Sequence, residues 1–244
     1  MAQGRSRWSG MQLEGDVDQR KAVSGLEIVH CDDALAVVNK PSGMLVHRGW
    51  DNDRVVAMTL LRDQIGRYVF PVHRLDRGTS GALVFALSSE VARTLSAAFE
   101  QGRVAKRYVA LVRGVPPDEG TIDSPVPRSE GGARVPAVTE YRRLFVFGRF
   151  SIVEARPLTG RLHQVRRHLK HLGHPIIGDV NYGRGELNRL FRADYGLHRL
   201  ALHALELQFE HPATGQPLGL AASLPGDLRE PLERMGVPVA SLFG

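Results

Sequence analysis

Cysteine is nearly absent: Cys31 is the only one in 244 residues. A single thiol excludes an intramolecular disulfide and any zinc site built on two or more cysteines, and it fits a reducing compartment such as the cytoplasm. Long hydrophobic runs are missing as well. No segment reaches the roughly 18 apolar residues of a membrane span, and the polar, mixed-charge residues 1–24 contain no apolar run resembling a signal-peptide core. The chain has no Walker element, no GxGxxG and no GxSxG, so nucleotide hydrolysis, a Rossmann cofactor and an α/β-hydrolase elbow lose their usual support. Acid is the scarcer charge, with 26 Asp and Glu against 32 Lys and Arg, for a net charge of +6. That excess fits a polyanionic partner such as RNA or DNA without requiring one.

What remains is an ordinary globular composition, 43% hydrophobic and 24% charged, long enough for one domain with a sizeable core. Residues 1–24 read as a flexible tail, and residues 25–244 as a single folded domain. Residues 26–30 and 35–39 read as strands joined by a turn at Asp32 and Asp33, with a break at Asn39-Lys40-Pro41-Ser42-Gly43. A helix is expected from about Asp53 to Ile65. A short buried strand follows at 82–87, then a helix capped by Ser88 and ended by Gly102, with Val91, Leu95, Ala98 and Phe99 on one face. Residues 106–112 alternate as a strand, whereas 114–136, rich in Pro and Gly, read as a surface excursion. A hairpin through Gly148 joins 139–147 to 149–156, and a helix, a loop, a strand at 202–209 and a helix at 227–235 complete the order. Strands adjacent in sequence favour a mixed, largely antiparallel sheet with flanking helices, an α+β fold.

Three stretches carry chemistry. In His73-Arg74-Leu75-Asp76-Arg77-Gly78-Thr79-Ser80-Gly81 one carboxylate lies between two arginines, on a loop entering a strand that can aim it. An ionised carboxylate with an unshielded oxygen serves as nucleophile or base, although Arg/Asp clusters are also common as plain salt bridges. In Lys106-Arg107-Tyr108-Val109-Ala110-Leu111-Val112-Arg113-Gly114, alternation puts Tyr108, Ala110 and Val112 on one face, where Tyr108 reads as a core aromatic with its hydroxyl at the edge. The third stretch, from Thr159-Gly160-Arg161, opens a helix in which Leu162, Val165, Leu169 and Leu172 fall within roughly 80° of one another. His163, Arg167, Lys170 and His171 lie opposite, a basic face suited to phosphates or merely solvated. Arg161 sits at the edge of the apolar stripe in the first turn, where it can point back into a cleft. The histidines at 163, 168, 171 and 174 have no carboxylate among them and several cations beside them, so no metal site is expected.

The first stretch closely resembles the signature of the RluA-type pseudouridine synthases, His-Arg-Leu-Asp, two variable residues, then Thr-Ser-Gly. The likeness extends from about Leu26 to Ala222. It takes in residues 39–43 with His47, the strand at 106–114, the helix from 159, His174-Pro175-Ile176-Ile177-Gly178-Asp179 and Leu202-His203-Ala204. The resemblance implies a pseudouridine synthase-like domain with a central RNA-binding cleft, no cofactor, and isomerisation of uridine to pseudouridine. It implies Asp76 as the catalytic residue, Tyr108 stacking on the base and helping remove the C5 proton, and Arg161 paired with Asp76. It also implies that Arg74 enters the space left by the flipped uridine. Within the family the chain looks most like members that act on the T-arm stem of tRNA, through Val46-His47-Arg48, residues 62–66 and residues 166–169. It also lacks the small basic RNA-binding module that precedes the domain in several rRNA-modifying relatives. A cytoplasmic monomer acting on tRNA is therefore expected, with His163, Arg167 and Lys170 as RNA contacts. An rRNA substrate and a non-catalytic RNA-binding protein are the alternatives. A glycosidase would want two positioned acids, and residues 73–81 offer one.

Overall fold

The protein is described by a computed structural model, which covers residues 25–48, 55–129 and 131–243. The tail expected at 1–24 and the helix start expected at Asp53 lie outside the described residues. The chain opens with an antiparallel pair, β1 (Glu27–Cys31) and β2 (Leu35–Lys40). In α1 (Ala57–Ile65), Thr59 Oγ1 accepts the Val56 N–H at 3.3 Å, and Gly66 ends the helix in the left-handed region at φ 66°. After the short β3 (Phe70–Pro71) comes β4 (Ser80–Ala86), in which every residue is buried. The next helix, α2 (Ser89–Glu100), starts where Ser88 Oγ accepts the Val91 N–H at 3.2 Å and buries Leu95 and Ala98. Ser88 and Gly102 thus bracket it as the sequence indicated.

A long strand, β5 (Ala105–Arg113), leads into a region more ordered than its Pro and Gly content suggested. Between 114 and 136 lie β6 (Glu119–Asp123) and a small separate pair, β7 (Val126–Pro127) with β8 (Arg134–Val135). The expected hairpin is formed by β9 (Val138–Phe147) and β10 (Phe150–Pro157), and β6 adds to the free edge of β9. Beyond α3 (Gln164–His171) the chain forms α4 (Gly185–Tyr195), β11 (Leu202–Glu210), β12 (Pro217–Ala221), α5 (Gly226–Arg234) and α6 (Val239–Phe243).

The main sheet runs β1-β2-β4-β11-β5-β10-β9-β6, with β12 added to β11 and β3 to β4. Among the described residues only β4 with β11 is parallel, so the expected mixed, largely antiparallel α+β architecture is what forms. Two features of the motif at 73–81 belong to this central junction. Gly81, at φ 118°, lies so close to β11 that a Cβ there would be 2.1 Å from the Ala204 carbonyl oxygen, and no side chain fits. Ser80 Oγ pairs with His203 Nδ1 at 2.8 Å and accepts from Arg199 at 2.6 Å, and Ser80 and His203 are both fully buried. The Ser80 hydroxyl of the signature therefore ties β4 to β11. One apolar cluster fills the space between β5, β9, β10 and the helices α3, α4 and α5, and a second lies under α1. Tyr108 packs against both, at the middle of the sheet. Among the described residues no helix is long and apolar enough to cross a membrane.

Candidate active site

A cleft of about 690 Å³ opens over the centre of the sheet, and Asp76, Tyr108, Lys106, His163 and Arg166 line it. Asp76 reaches it from the loop before β4, and that loop is clamped from both sides. On one side the Ser42 hydroxyl donates to the Gly78 carbonyl at 2.7 Å and the Gly43 N–H to the Arg77 carbonyl at 2.8 Å. Lys40, fully buried, donates from Nζ to the carbonyls of Pro41 and Met44 at 2.8 Å each and to that of Arg77 at 3.4 Å. Burial, with the nearby Arg199 charge, pushes the Lys40 ammonium down to about 7, against the pull of Asp76. On the other side His73 stacks on Phe99 at 4.3 Å, and its Nε2 accepts the Val84 N–H at 3.0 Å. Accepting that bond requires the neutral imidazole, and burial together with Lys106 pushes the ring down to about 3.

The carboxylate of Asp76 is held by Arg166, whose Nη1 donates to Oδ2 at 3.0 Å. Arg166 is itself gripped by Asp179, from Nε to Oδ2 at 2.7 Å and from Nη2 to Oδ1 at 2.9 Å. The side chains of Arg166 and Asp179 are 8% and 0% exposed, so this is a buried pair, and a planar fork held at two points leaves its third nitrogen aimed at Asp76. Burial opposes the Arg166 charge, but the hydrogen bonds and charges of Asp179 and Asp76 raise its pKa above the usual value. Burial likewise opposes the Asp179 carboxylate, which Arg166 and the N–H groups of Tyr182 and Asn181 hold low. Asp76 Oδ1 faces His163, with Nε2 at 3.8 Å.

Tyr108 stands on β5, which β11 separates from β4 in the sheet, and lines the same cleft as Asp76. Burial, and then the charge of Asp76, push its hydroxyl above the ordinary phenol value, so it stays protonated at neutral pH. Two residues earlier Lys106 donates from Nζ to the Thr159 carbonyl at 3.2 Å, and burial pushes its ammonium down to about 8. Exposed Arg74, Arg128 and Arg161 lie around the mouth and give it a positive rim.

Residues 34–171 match the family model for RNA pseudouridylate synthase. The chain belongs to the RNA pseudouridylate synthase family. It is 47% identical over 220 residues to the tRNA pseudouridine synthase C of Pectobacterium carotovorum subsp. carotovorum, covering 81% of this chain and 58% of that protein. To the protein of the same name from Vibrio parahaemolyticus it is 45% identical over 222 residues, covering 82% of this chain and 90% of that protein. Among solved structures, human RNA Pseudouridylate Synthase Domain Containing 4 superposes with a TM-score of 0.71 at 29% identity, covering 86% of this chain and 93% of that one. The family and the isomerase class read from the motifs therefore stand.

The structure departs from one expectation at the carboxylate. Arg161 does not pair with Asp76. Helix α3 begins only at Gln164, so Arg161 precedes the first turn rather than occupying it, and its Nε donates to the Pro136 carbonyl at 3.3 Å. The start is fixed by buried Gln164, whose Oε1 accepts the Arg161 N–H at 3.0 Å and the Thr159 hydroxyl at 2.7 Å while its amide donates to the Val138 carbonyl at 2.9 Å. Arg166, one turn on, takes the place beside Asp76. Of the expected outward basic face, His163 turns into the cleft. Arg167 donates from Nε to the Tyr182 hydroxyl at 2.8 Å and from Nη1 to the Pro127 carbonyl at 3.2 Å, and exposed Lys170 lies 5.6 Å from the centre of the Tyr182 ring. His168 is buried between Thr139 Oγ1 and the Ser124 carbonyl, a packing role. Among the described residues no group of three or more His, Cys, Asp or Glu side chains is placed to hold a metal ion. Asp179 and Tyr182 were not singled out from sequence, and they organise the site as much as any residue that was.

Proposed function

We propose that this synthase isomerises a uridine in the T-arm stem of tRNA to pseudouridine, as a monomer in the cytoplasm, using side chains alone. The observation that carries the reading is the Asp76 carboxylate in the cleft that Tyr108 also lines, with one oxygen fixed by Arg166 and the other turned towards His163. A carboxylate so placed starts glycosidic cleavage by attack at C1′ or by removing a sugar proton. Either step breaks the N1–C1′ bond with its electrons leaving on the uracil, which turns so that C5 bonds to C1′ as the Asp76–C1′ ester breaks, or as the sugar regains its proton from Asp76, and C5 then gives up its proton. Arg166 keeps the carboxylate aimed throughout. Arg74 takes the space vacated by the flipped nucleotide, whose extraction costs a few kcal/mol. Exposed Arg74, Arg128 and Arg161 meet the phosphates, which makes binding fall steeply with salt.

The tRNA assignment rests on the names of the similar bacterial proteins. In a competition offering T-arm tRNA transcripts and large-subunit rRNA helices together, pseudouridine is expected in the tRNA. Selective modification of the rRNA would overturn the substrate and leave the reaction in place.

Tyr108 supplies the face on which the base stacks. Because its hydroxyl is held protonated, it can take the C5 proton only by passing on its own, to Asp76 or to water, in the same step. Tyr108→Phe keeps the ring and removes this relay. Base detachment is expected to continue while tritium release from C5-labelled uridine slows about a hundredfold, the scale of a lost general base. Unchanged tritium release reduces Tyr108 to a stacking surface.

A further inference from the structure

His163 has a backbone φ of 53°, the only positive value at a non-glycine position among the described residues. Such a conformation is disfavoured for any residue with a Cβ, and it persists where the surroundings impose it. Here it swings the imidazole between two partners. On one side Nδ1 lies 3.0 Å from the Tyr182 hydroxyl, and on the other Nε2 lies 3.8 Å from Asp76 Oδ1. The Tyr182 hydroxyl also receives the Arg167 Nε–H at 2.8 Å. An arginine only donates, so this bond occupies a lone pair of the hydroxyl oxygen, and the hydroxyl hydrogen then has His163 Nδ1 as an acceptor in reach. With Nδ1 accepting, the neutral ring carries its proton on Nε2, the atom facing Asp76. Burial pushes the imidazole down, Asp76 pulls it up, and Arg166 and Arg167 push it down again.

Tyr182 is well placed to hold this arrangement. Its N–H donates to Asp179 Oδ1 at 3.0 Å, so it is tied to the carboxylate that grips Arg166. Its ring is packed by cations, with the guanidinium carbons of Arg166 at 5.0 Å and Arg167 at 5.6 Å from the centroid. One side chain thus touches the supports of both oxygens of Asp76: Arg166 on Oδ2, and His163 towards Oδ1.

We propose that Tyr182 is a positioning residue for the reaction, fixing His163 as the Nε2–H tautomer so that this N–H closes on Asp76 Oδ1 when uridine fills the cleft. At 3.8 Å the contact is too long for a hydrogen bond, and catalytic hydrogen bonds commonly tighten only in the substrate complex. Together with Arg166 it leaves the carboxylate one orientation, in which a lone pair not taken by either donor meets the ribose. The inference rests on Asp76 being the reacting carboxylate.

Two sets of variants test it in the full chain. Tyr182→Phe keeps the ring under the cations and deletes the hydroxyl. Nitrogen-15 imidazole spectra, assigned by the signal lost in His163→Gln, are expected to show His163 as the Nε2–H form in the wild type and a mixture of tautomers in Tyr182→Phe. Single-turnover conversion is expected to fall about tenfold with RNA affinity unchanged, the scale of a misaimed catalytic group. The second set separates an imidazole role from a backbone role. Gln places an N–H where Nε2 was, and Asn suits the left-handed backbone better but places its amide near Nδ1. His163→Gln is expected to lose less rate than His163→Asn, which falls at least about tenfold. The reverse order, or an unchanged tautomer and rate in Tyr182→Phe, overturns the proposal. Failure of the Asp76 reading shows elsewhere, as activity retained in Asp76→Asn with the tautomer spectra unaltered.

Discussion

Asp76→Asn is expected to cut uridine conversion to below about a thousandth of the wild-type rate, the scale seen when an essential catalytic group is removed. The amide keeps the shape of the carboxylate and can still accept from Arg166 Nη1, which lies 3.0 Å from Oδ2 in the wild type, so the loop and the cleft keep their form. What disappears is the charged oxygen. RNA affinity and melting temperature are therefore expected to stay near wild type while single-turnover conversion is lost. Substantial residual conversion would remove Asp76 from the chemistry.

The second large effect separates two arginines five positions apart. Arg166 is the common partner of Asp76 and Asp179, and removing it strands a carboxylate that has no exposed surface. Arg166→Met is expected to destabilise the fold by about 3–5 kcal/mol, as breaking one side of a buried pair does, and to abolish conversion. Arg166→Lys keeps the charge and a folded protein, but one ammonium cannot hold Asp179 at two points and reach Asp76 as well. It is expected to lose at least about a hundredfold in rate with a much smaller loss of stability, a misplacement of the aimed group. Arg161→Ala touches only the rim and the Pro136 carbonyl. Its conversion rate at saturating RNA is expected to match wild type, with binding weakened by one phosphate contact. Equal damage from Arg161→Ala and Arg166→Lys would restore Arg161 to the site and contradict the ion-pair geometry.

That pair of arginines also shows where the sequence was legible. Strand alternation put Tyr108 on the correct face of β5, and the capping serine and closing glycine bracketed α2, because these signals are local. The helix from 159 was readable as an apolar stripe but not in its start, since the turn at Arg161 and His163 is fixed by Gln164 bonding to Val138 and Thr139 on a strand more than twenty residues away. Beginning the helix three residues early put Arg161 in its first turn. A signal for Arg166 was present: it follows Leu162 by four residues and precedes Leu169 by three, so it shares their buried face, and a charge there demands a counter-charge. Nothing local identifies Asp179 as that partner. The short strands β6, β7 and β8 were hidden because each buries at most one residue fully, Ile122 in β6 and Val126 in β7, too few for a period to register. Helix α4 was passed over as loop, although Leu187, Phe191 and Tyr195 recur every four residues, because only Phe191 is fully enclosed.

This chain is expected to turn uridine into pseudouridine with its own side chains. The direct measurement is nucleoside analysis, by digestion and mass-resolved chromatography, of a tRNA transcript incubated with the purified protein in chelator and without added nucleotide. Pseudouridine is expected at a single uridine of the T-arm stem, formed by the wild type and not by Asp76→Asn. An unmodified transcript, or conversion only after a metal ion is restored, would contradict it.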